Sequence, residues 1–175
     1  MANTALISIL CADNAGLIAD VTGRLYELGV NLGDTTFAVL GGGAEFTLVA
    51  KIPVGTSLTE VEQHLAALPA LREAKLTVHP FQYRESHDDS AQITHRIEIV
   101  GDDSPGLIAR LSEVFRVYGG NIVRLNSESA PSANAARFVL RLAAFIPPDK
   151  AASCMAAVAN TAGQMHLKCQ WQQVA

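Results

Sequence analysis

Residues Thr4 to Cys11, TALISILC, alternate Leu6, Ser8 and Leu10 against Ile7 and Ile9. Both sets are mostly apolar, which predicts an inner strand of a sheet rather than an edge. Thr94 to Gly101, THRIEIVG, alternates more strictly and places Ile97 and Ile99 on the inward side. After each run the apolar period changes from two to 3.6. Leu17, Ile18, Val21, Leu25 and Leu28 form one helical stripe, and Leu107, Ile108, Leu111, Phe115 and Tyr118 repeat it at the same offsets. Such a stripe packs a helix on a sheet and carries no chemistry. Gly29 and the pair Gly119-Gly120 stop these helices. Two extended runs around Gly41-Gly42-Gly43 then predict a hairpin, and Ala130 to Ala135 takes the same turn later in the chain. A second helix opens on a capping box, Ser57 with Glu60, and lines Leu58, Val61, Leu65 and Leu68 on one face. Its counterpart follows Pro147-Pro148 with Ala151, Cys154, Met155 and Val158. Ala74 to Tyr83 and Met165 to Val174 read as closing strands.

The chain is therefore one βαββαβ unit written twice. A shift of 90 positions lays Ile7 on Ile97, Asp13 on Asp103, Gly16-Leu17-Ile18 on Gly106-Leu107-Ile108, Gly29 on Gly119 and Asn31 on Asn121. The register then slips by about two residues, and EFTLVAKIP (Glu45 to Pro53) matches RFVLRLAAFIP (Arg137 to Pro147). This order predicts an α+β fold of two ferredoxin-like domains, each a four-stranded antiparallel sheet with two helices on one face. The first domain is expected over residues 1–83 and the second over 93–175. Residues 84–92, RESHDDSAQ, are polar, lack apolar periodicity and read as the linker. Sheets of this kind leave one face and two edges to cover, so the two halves are expected to pack together or to pair with a second chain.

Composition narrows the function. The 175 residues are 49% apolar, enough for two small cores, with a net charge of −4. No cluster of Lys and Arg is present, which argues against a direct grip on nucleic acid. Cys11, Cys154 and Cys169 are widely spaced and odd in number. They suggest reduced thiols, not a zinc site or a disulfide framework. The N-terminal stretch has no basic region, and no apolar run reaches the ~20 residues of a membrane span. A cytoplasmic protein is expected.

The repeated strand-to-helix turn is the candidate site. In Asp103-Ser104-Pro105-Gly106, Ser104 suits an N-cap and Pro105 the first helical position, while Gly106 permits a close backbone approach. In the first copy Asn14 takes the cap and Ala15 the proline place. Open N–H groups at a helix start can receive a carboxylate, and Asp13 or Asp103 beside them could accept from an ammonium group. A free amino acid carries both charges. The same residues also make a plain tight turn, and the residue types leave that alternative open.

Strand, D-x-P-G-L-I, helix, G-x-N-I and hairpin resembles the ACT domain, a small amino-acid-sensing regulatory module. DDSPGLIARLSEVFRVYGGNIVRL carries the motif nearly whole, and ADNAGLIADVTGRLYELGVNLGDT carries it without the proline. Two such domains and nothing else resemble the glycine cleavage system transcriptional repressor family. The resemblance implies a regulator with no catalytic residues and no cofactor. It also implies a small amino acid as ligand, glycine first, and a protein partner, a transcriptional activator of the LysR type. Ligand-contacting positions carried over by the resemblance are Asp13, Asn14, Gly16, Leu17 and Asn31, and Asp103, Ser104, Gly106, Leu107 and Asn121. Loss of the ligand, leaving an interaction module, or service as a regulatory subunit of an amino-acid enzyme are the alternatives.

Rival chemistry finds little support. His64, His79, His87, His95 and His166 are scattered, share no ligand spacing and are expected at the surface. His87-Asp88-Asp89 reads as a solvated linker cluster, and Gly41-Gly42-Gly43 lacks the lysine of a phosphate loop. Trp171 is expected to pack on a strand.

Overall fold

A computed structural model describes residues 3–103, 105–130 and 137–174. It divides into two compact units, Met1–Tyr83 and Arg84–Ala175. The first contains β1 (Asn3–Ala12), α1 (Leu17–Glu27), β2 (Asn31–Leu40), β3 (Gly43–Ile52), α2 (Leu58–Ala66) and β4 (Lys75–Pro80). The second contains β5 (His95–Asp102), α3 (Leu107–Val117), β6 (Asn121–Ala130), β7 (Arg137–Phe145), α4 (Ala151–Gln164) and β8 (Lys168–Gln173). Each sheet is antiparallel, in the orders β2-β3-β1-β4 and β6-β7-β5-β8. This is the ferredoxin-like arrangement, twice. Ser104 and most of the turn expected over 130–135 lie outside the described residues.

The alternation of β1 decides its faces. Ala5, Ile7, Ile9 and Cys11 are buried under the helices, with Ala50, Leu48, Phe46 and Ala44 of β3 directly opposite. Leu6, Ser8 and Leu10 turn to the other face, beside Val49, Thr47 and Glu45. Leu17, Val21 and Leu25 of α1 and Val61 and Leu65 of α2 close the first core. Leu107, Leu111 and Phe115 of α3 and Cys154, Met155, Val158 and Ala162 of α4 close the second over Ile97, Ile99, Leu140 and Leu142. The Ser57–Glu60 capping box forms in both directions. Cys11, Cys154 and Cys169 are free thiols, and burial pushes each of them up from the ordinary thiol range.

Three local expectations are corrected. Ile18 and Ile108 leave the stripe; they are 45% and 37% exposed, because each sits about 100° round the first helical turn from its buried neighbour leucine. Asn14 does not cap α1. The helices begin after Gly16 and Gly106, both in the left-handed region and without a side-chain cap.

The third concerns His95, which is 3% exposed rather than on the surface. It opens β5 in register with Ile97 and Ile99, so the period of two turns it inward. Its Nδ1 lies 2.9 Å from the Thr94 hydroxyl, which also accepts from the Ile146 N–H and lies 3.2 Å from the Ala144 carbonyl. The Trp171 ring on β8 stands 5.8 Å away, and burial lowers the His95 pKa below the ordinary imidazole value.

Residues of the polar segment 84–92 fold against the second unit. Arg84 pairs with Asp88 at 3.0 Å, Asp89–Ala91 form a 3-10 turn, and Asn121 Nδ2 donates to the Ser90 carbonyl at 2.9 Å.

Candidate functional site

β1 ends at Ala12 opposite Gly43, which brings the strand-to-helix turn against the tip of the β2–β3 hairpin. The Asp13 N–H donates to the Gly42 carbonyl at 3.1 Å and fastens the two loops together. Asn14 Nδ2 donates back to the Ala12 carbonyl at 3.5 Å. The Asn14 carbonyl accepts from the Leu17 N–H at 3.4 Å. Gly16 has φ 94 and ψ −7, the third-position geometry of a type II turn, and Gly106 repeats it with φ 85 and ψ 0. Proline favours the second position of that turn, so Pro105 serves the turn and not the first helical residue. Ala15 fills the same place with less restraint.

These glycines are needed for their sign of φ. A Cβ at Gly16 or Gly106 would meet nothing within 4 Å, so neither marks a close backbone approach. The first amides of α1 are partly used: Leu17 donates to Asn14, and the Asp20 N–H donates to the Gly16 carbonyl at 2.9 Å. Ile18 and Ala19 retain the open donors characteristic of a helix start. Asp13 and Asn14 are exposed beside them, and the Asp13 carboxylate adds to burial in raising the Cys11 thiol. The arrangement offers N–H donors and a carboxylate within one solvent-facing turn. In the second copy Asp103, Pro105 and Gly106 are likewise exposed, and the Arg110 N–H closes on the Gly106 carbonyl at 3.0 Å.

The ten nominated residues do not form one cluster per domain. Leu17 and Leu107 are core residues, 1% and 2% exposed, and can offer a ligand only their backbone. Asn31 pairs with Lys51, which pairs with Thr4, whereas the turn follows Ala12. Eight residues of strand separate Thr4 from Ala12 (12 − 4), about 26 Å at 3.3 Å per residue. Asn121 likewise pairs with Phe145 beside the start of β5, at the far end from Asp103, and its amide is engaged by Ser90. Within one domain, asparagine and turn therefore cannot touch the same small ligand. The contribution of the Gly41–Gly43 hairpin tip to the turn was not expected, although the hairpin itself was legible. Among the described residues no group of three or more His, Cys, Asp or Glu is placed to hold a metal. No helix among them is long and apolar enough to cross a membrane.

Comparison with known proteins agrees with the motif. The chain is 26% identical over 145 residues to the glycine cleavage system transcriptional repressor of Escherichia coli (strain K12), covering 81% of this chain and 74% of that protein. The Shigella flexneri protein of the same name matches to the same extent. A solved structure of an unknown protein from Galdieria sulphuraria superposes with a TM-score of 0.76 at 19% identity over the whole of both chains. That of a putative glycine cleavage system transcriptional repressor does so with a TM-score of 0.67 at 15% identity, over 99% of this chain and 98% of that one. At these identities the structural likeness establishes the fold. No family model matches the chain. The chain thus pairs two ferredoxin-like domains with a likeness to the glycine cleavage system transcriptional repressor over most of its length, and that likeness supports a regulatory role.

Proposed function

We propose that this chain is a non-enzymatic, cytoplasmic regulator that senses a small amino acid, glycine first, and controls transcription of glycine cleavage through a protein partner. The observation that carries the reading is the repeated turn: an exposed aspartate, a left-handed glycine and an open helix start, present in both copies. Likeness to a transcriptional repressor over 81% of the chain supplies the process. A zwitterion suits the turn. Its carboxylate would lie on the Ile18 and Ala19 amides and its ammonium group on Asp13. A switch of this kind works only if the ligand favours one state of the protein over another. The absence of a basic cluster makes a protein, such as a LysR-type activator, the more reasonable direct target than DNA.

Calorimetric titration with glycine, then serine and other amino acids, tests the sensor. A saturable heat is expected for at least one, with Asp13→Asn weakening it by about tenfold. No heat from a protein that melts cooperatively would favour the second reading, a ligand-free interaction module, whereas a regulatory subunit of an amino-acid enzyme would keep the ligand and differ in its partner. That reading draws on the engagement of Asn121 by Ser90. Affinity capture with a LysR-type activator, with and without the ligand, tests the partner.

A further inference from the structure

The helix layers of the two domains are built alike, but only one has its groove filled. In the first domain Arg24 reaches from α1 across to α2, where its Nη1 donates to the His64 carbonyl at 3.2 Å. Its Nε pairs with Glu27 at 3.1 Å, and its side chain is only 29% exposed. The 90-residue repeat places Val114 where Arg24 stands and Val117 where Glu27 stands. Across the groove from Val114, Thr161 and Gln164 of α4 line the facing side. With the arginine replaced by valine, the space between α3 and α4 stays open as a cleft of about 290 Å³.

The lining of this cleft specifies its ligand. Val114, Val117 and Tyr118 supply an apolar wall, and Val117 is 69% exposed. Thr161 and Gln164 offer hydrogen-bonding groups from α4. At the rim Glu113 is held by Arg116 at 2.8 Å, whereas Arg110 enters no ion pair among the described residues. The uncompensated charge is thus a guanidinium, whose planar fork matches a carboxylate. The volume of about 290 Å³ falls just below the ~300 Å³ at which pockets for drug-sized ligands begin, so the ligand is small.

We propose that the α3–α4 cleft binds a small carboxylic acid with an apolar or aromatic body, its carboxylate on Arg110 and its body against Val114, Val117 and Tyr118. This site is independent of the strand-to-helix turns and of the amino-acid reading placed on them.

Phenylacetate is a suitable probe, with benzyl alcohol and benzylamine as the uncharged and oppositely charged controls. In amide NMR spectra of the full chain, phenylacetate should give saturable shifts confined to α3 and α4. A dissociation constant on the order of a millimolar is expected for a ligand of this size. Arg110→Gln should weaken it by about tenfold. Val114→Arg, which installs the side chain the first domain carries, should abolish binding with the melting temperature unchanged. Should that variant fail to fold, Val117→Glu puts a negative charge at an exposed wall position and should abolish binding equally. The proposal is overturned if phenylacetate gives no saturable shifts, if the shifts fall elsewhere, if benzylamine binds as well, or if binding survives these substitutions.

Discussion

The two domains share topology and register, yet they fill their cores by opposite means. In the first domain Cys11 and Val30 carry buried side chains. The 90-residue repeat replaces them with Gly101 and Gly120. The lost volume returns from the neighbouring element. A Cβ on Gly101 would come within 2.4 Å of the Leu167 side chain, and one on Gly120 within 3.2 Å of Phe115 and 3.1 Å of the Phe145 carbonyl oxygen. Leu167 stands where the first domain has Ala74, as the pairings of Ile9 with Leu76 and Ile99 with Cys169 establish. Phe115 stands where it has Leu25. Side-chain volume has moved across the interface in pairs while the backbone has stayed in place, as close packing requires. The comparison also separates two glycines that look alike in the sequence. Gly119 has φ 69 and ends α3, as Gly29 with φ 70 ends α1. Gly120 has an ordinary backbone, and its smallness makes room for the Phe115 ring.

The largest effect should come from breaking one of these pairs. Gly120→Val puts the first domain's residue into the second domain's core against an unmoved phenylalanine. Overpacking of this kind costs about 1–3 kcal/mol. Phe115→Leu alone leaves a void and destabilises to a similar extent. Together they rebuild the first domain's arrangement, so the double variant should lose at least about 1 kcal/mol less than the sum of the singles. Denaturant unfolding of the four proteins measures this coupling, and simple additivity would refute the compensation.

A smaller difference should appear on acidification. His95 occupies the position of Ala5, so a buried imidazole is a feature of the second core alone at this point of the repeat. Burial lowers its folded pKa, whereas the unfolded chain keeps a value near ~6.5. Below that value the unfolded state takes up a proton more readily, so the second domain loses stability as pH falls from 7 towards the folded pKa. Above it the contribution is fully present. Trp171 is the chain's one tryptophan and lies 5.8 Å from His95, so its fluorescence reports this domain. The unfolding midpoint read from Trp171 should fall between about pH 7 and 5, and His95→Gln should flatten that dependence. A midpoint indifferent to pH in the parent protein would show that the imidazole titrates alike in both states.

Much of this was legible in the residues. The period of two in β1 and β5, the 3.6 period in α1 and α3, and the repeat at 90 positions define both sheets and their inner strands. The same alternation extends to His95, but residue type outweighed period there and pointed to the surface. The helix starts were misplaced by two residues because Asn14 has a capping side chain, while a left-handed glycine at the turn's third position leaves Gly16 as the last residue before α1. The opposed ends occupied by Asn31 and Asp13 follow from strand length and pairing, which spacing along the chain does not express. The open cleft beside Val114 depends on which side chain crosses between two helices, a fact of three-dimensional reach.

The smallest predicted effect tests whether the paired asparagines of the repeat still do the same thing. Asn121 donates to the Ser90 carbonyl and fixes the 3-10 turn of Asp89–Ala91 against the start of β6. Asn31, at the same place in the first repeat, is exposed and begins β2 after Gly29 and Val30. A neutral hydrogen bond at the surface contributes about 1 kcal/mol or less, so Asn121→Ala should barely move the global midpoint. Its consequence is local. The Ala91 and Gln92 amides, which donate to Asp88 and Asp89 at 2.9 and 3.1 Å, should exchange with deuterium about fivefold faster, while Asn31→Ala leaves them unchanged. Amino-acid affinity at the turns, a strand's length from both asparagines, should survive Asn121→Ala and Asn31→Ala alike, and a loss with either would place the ligand at that asparagine and not at the turn.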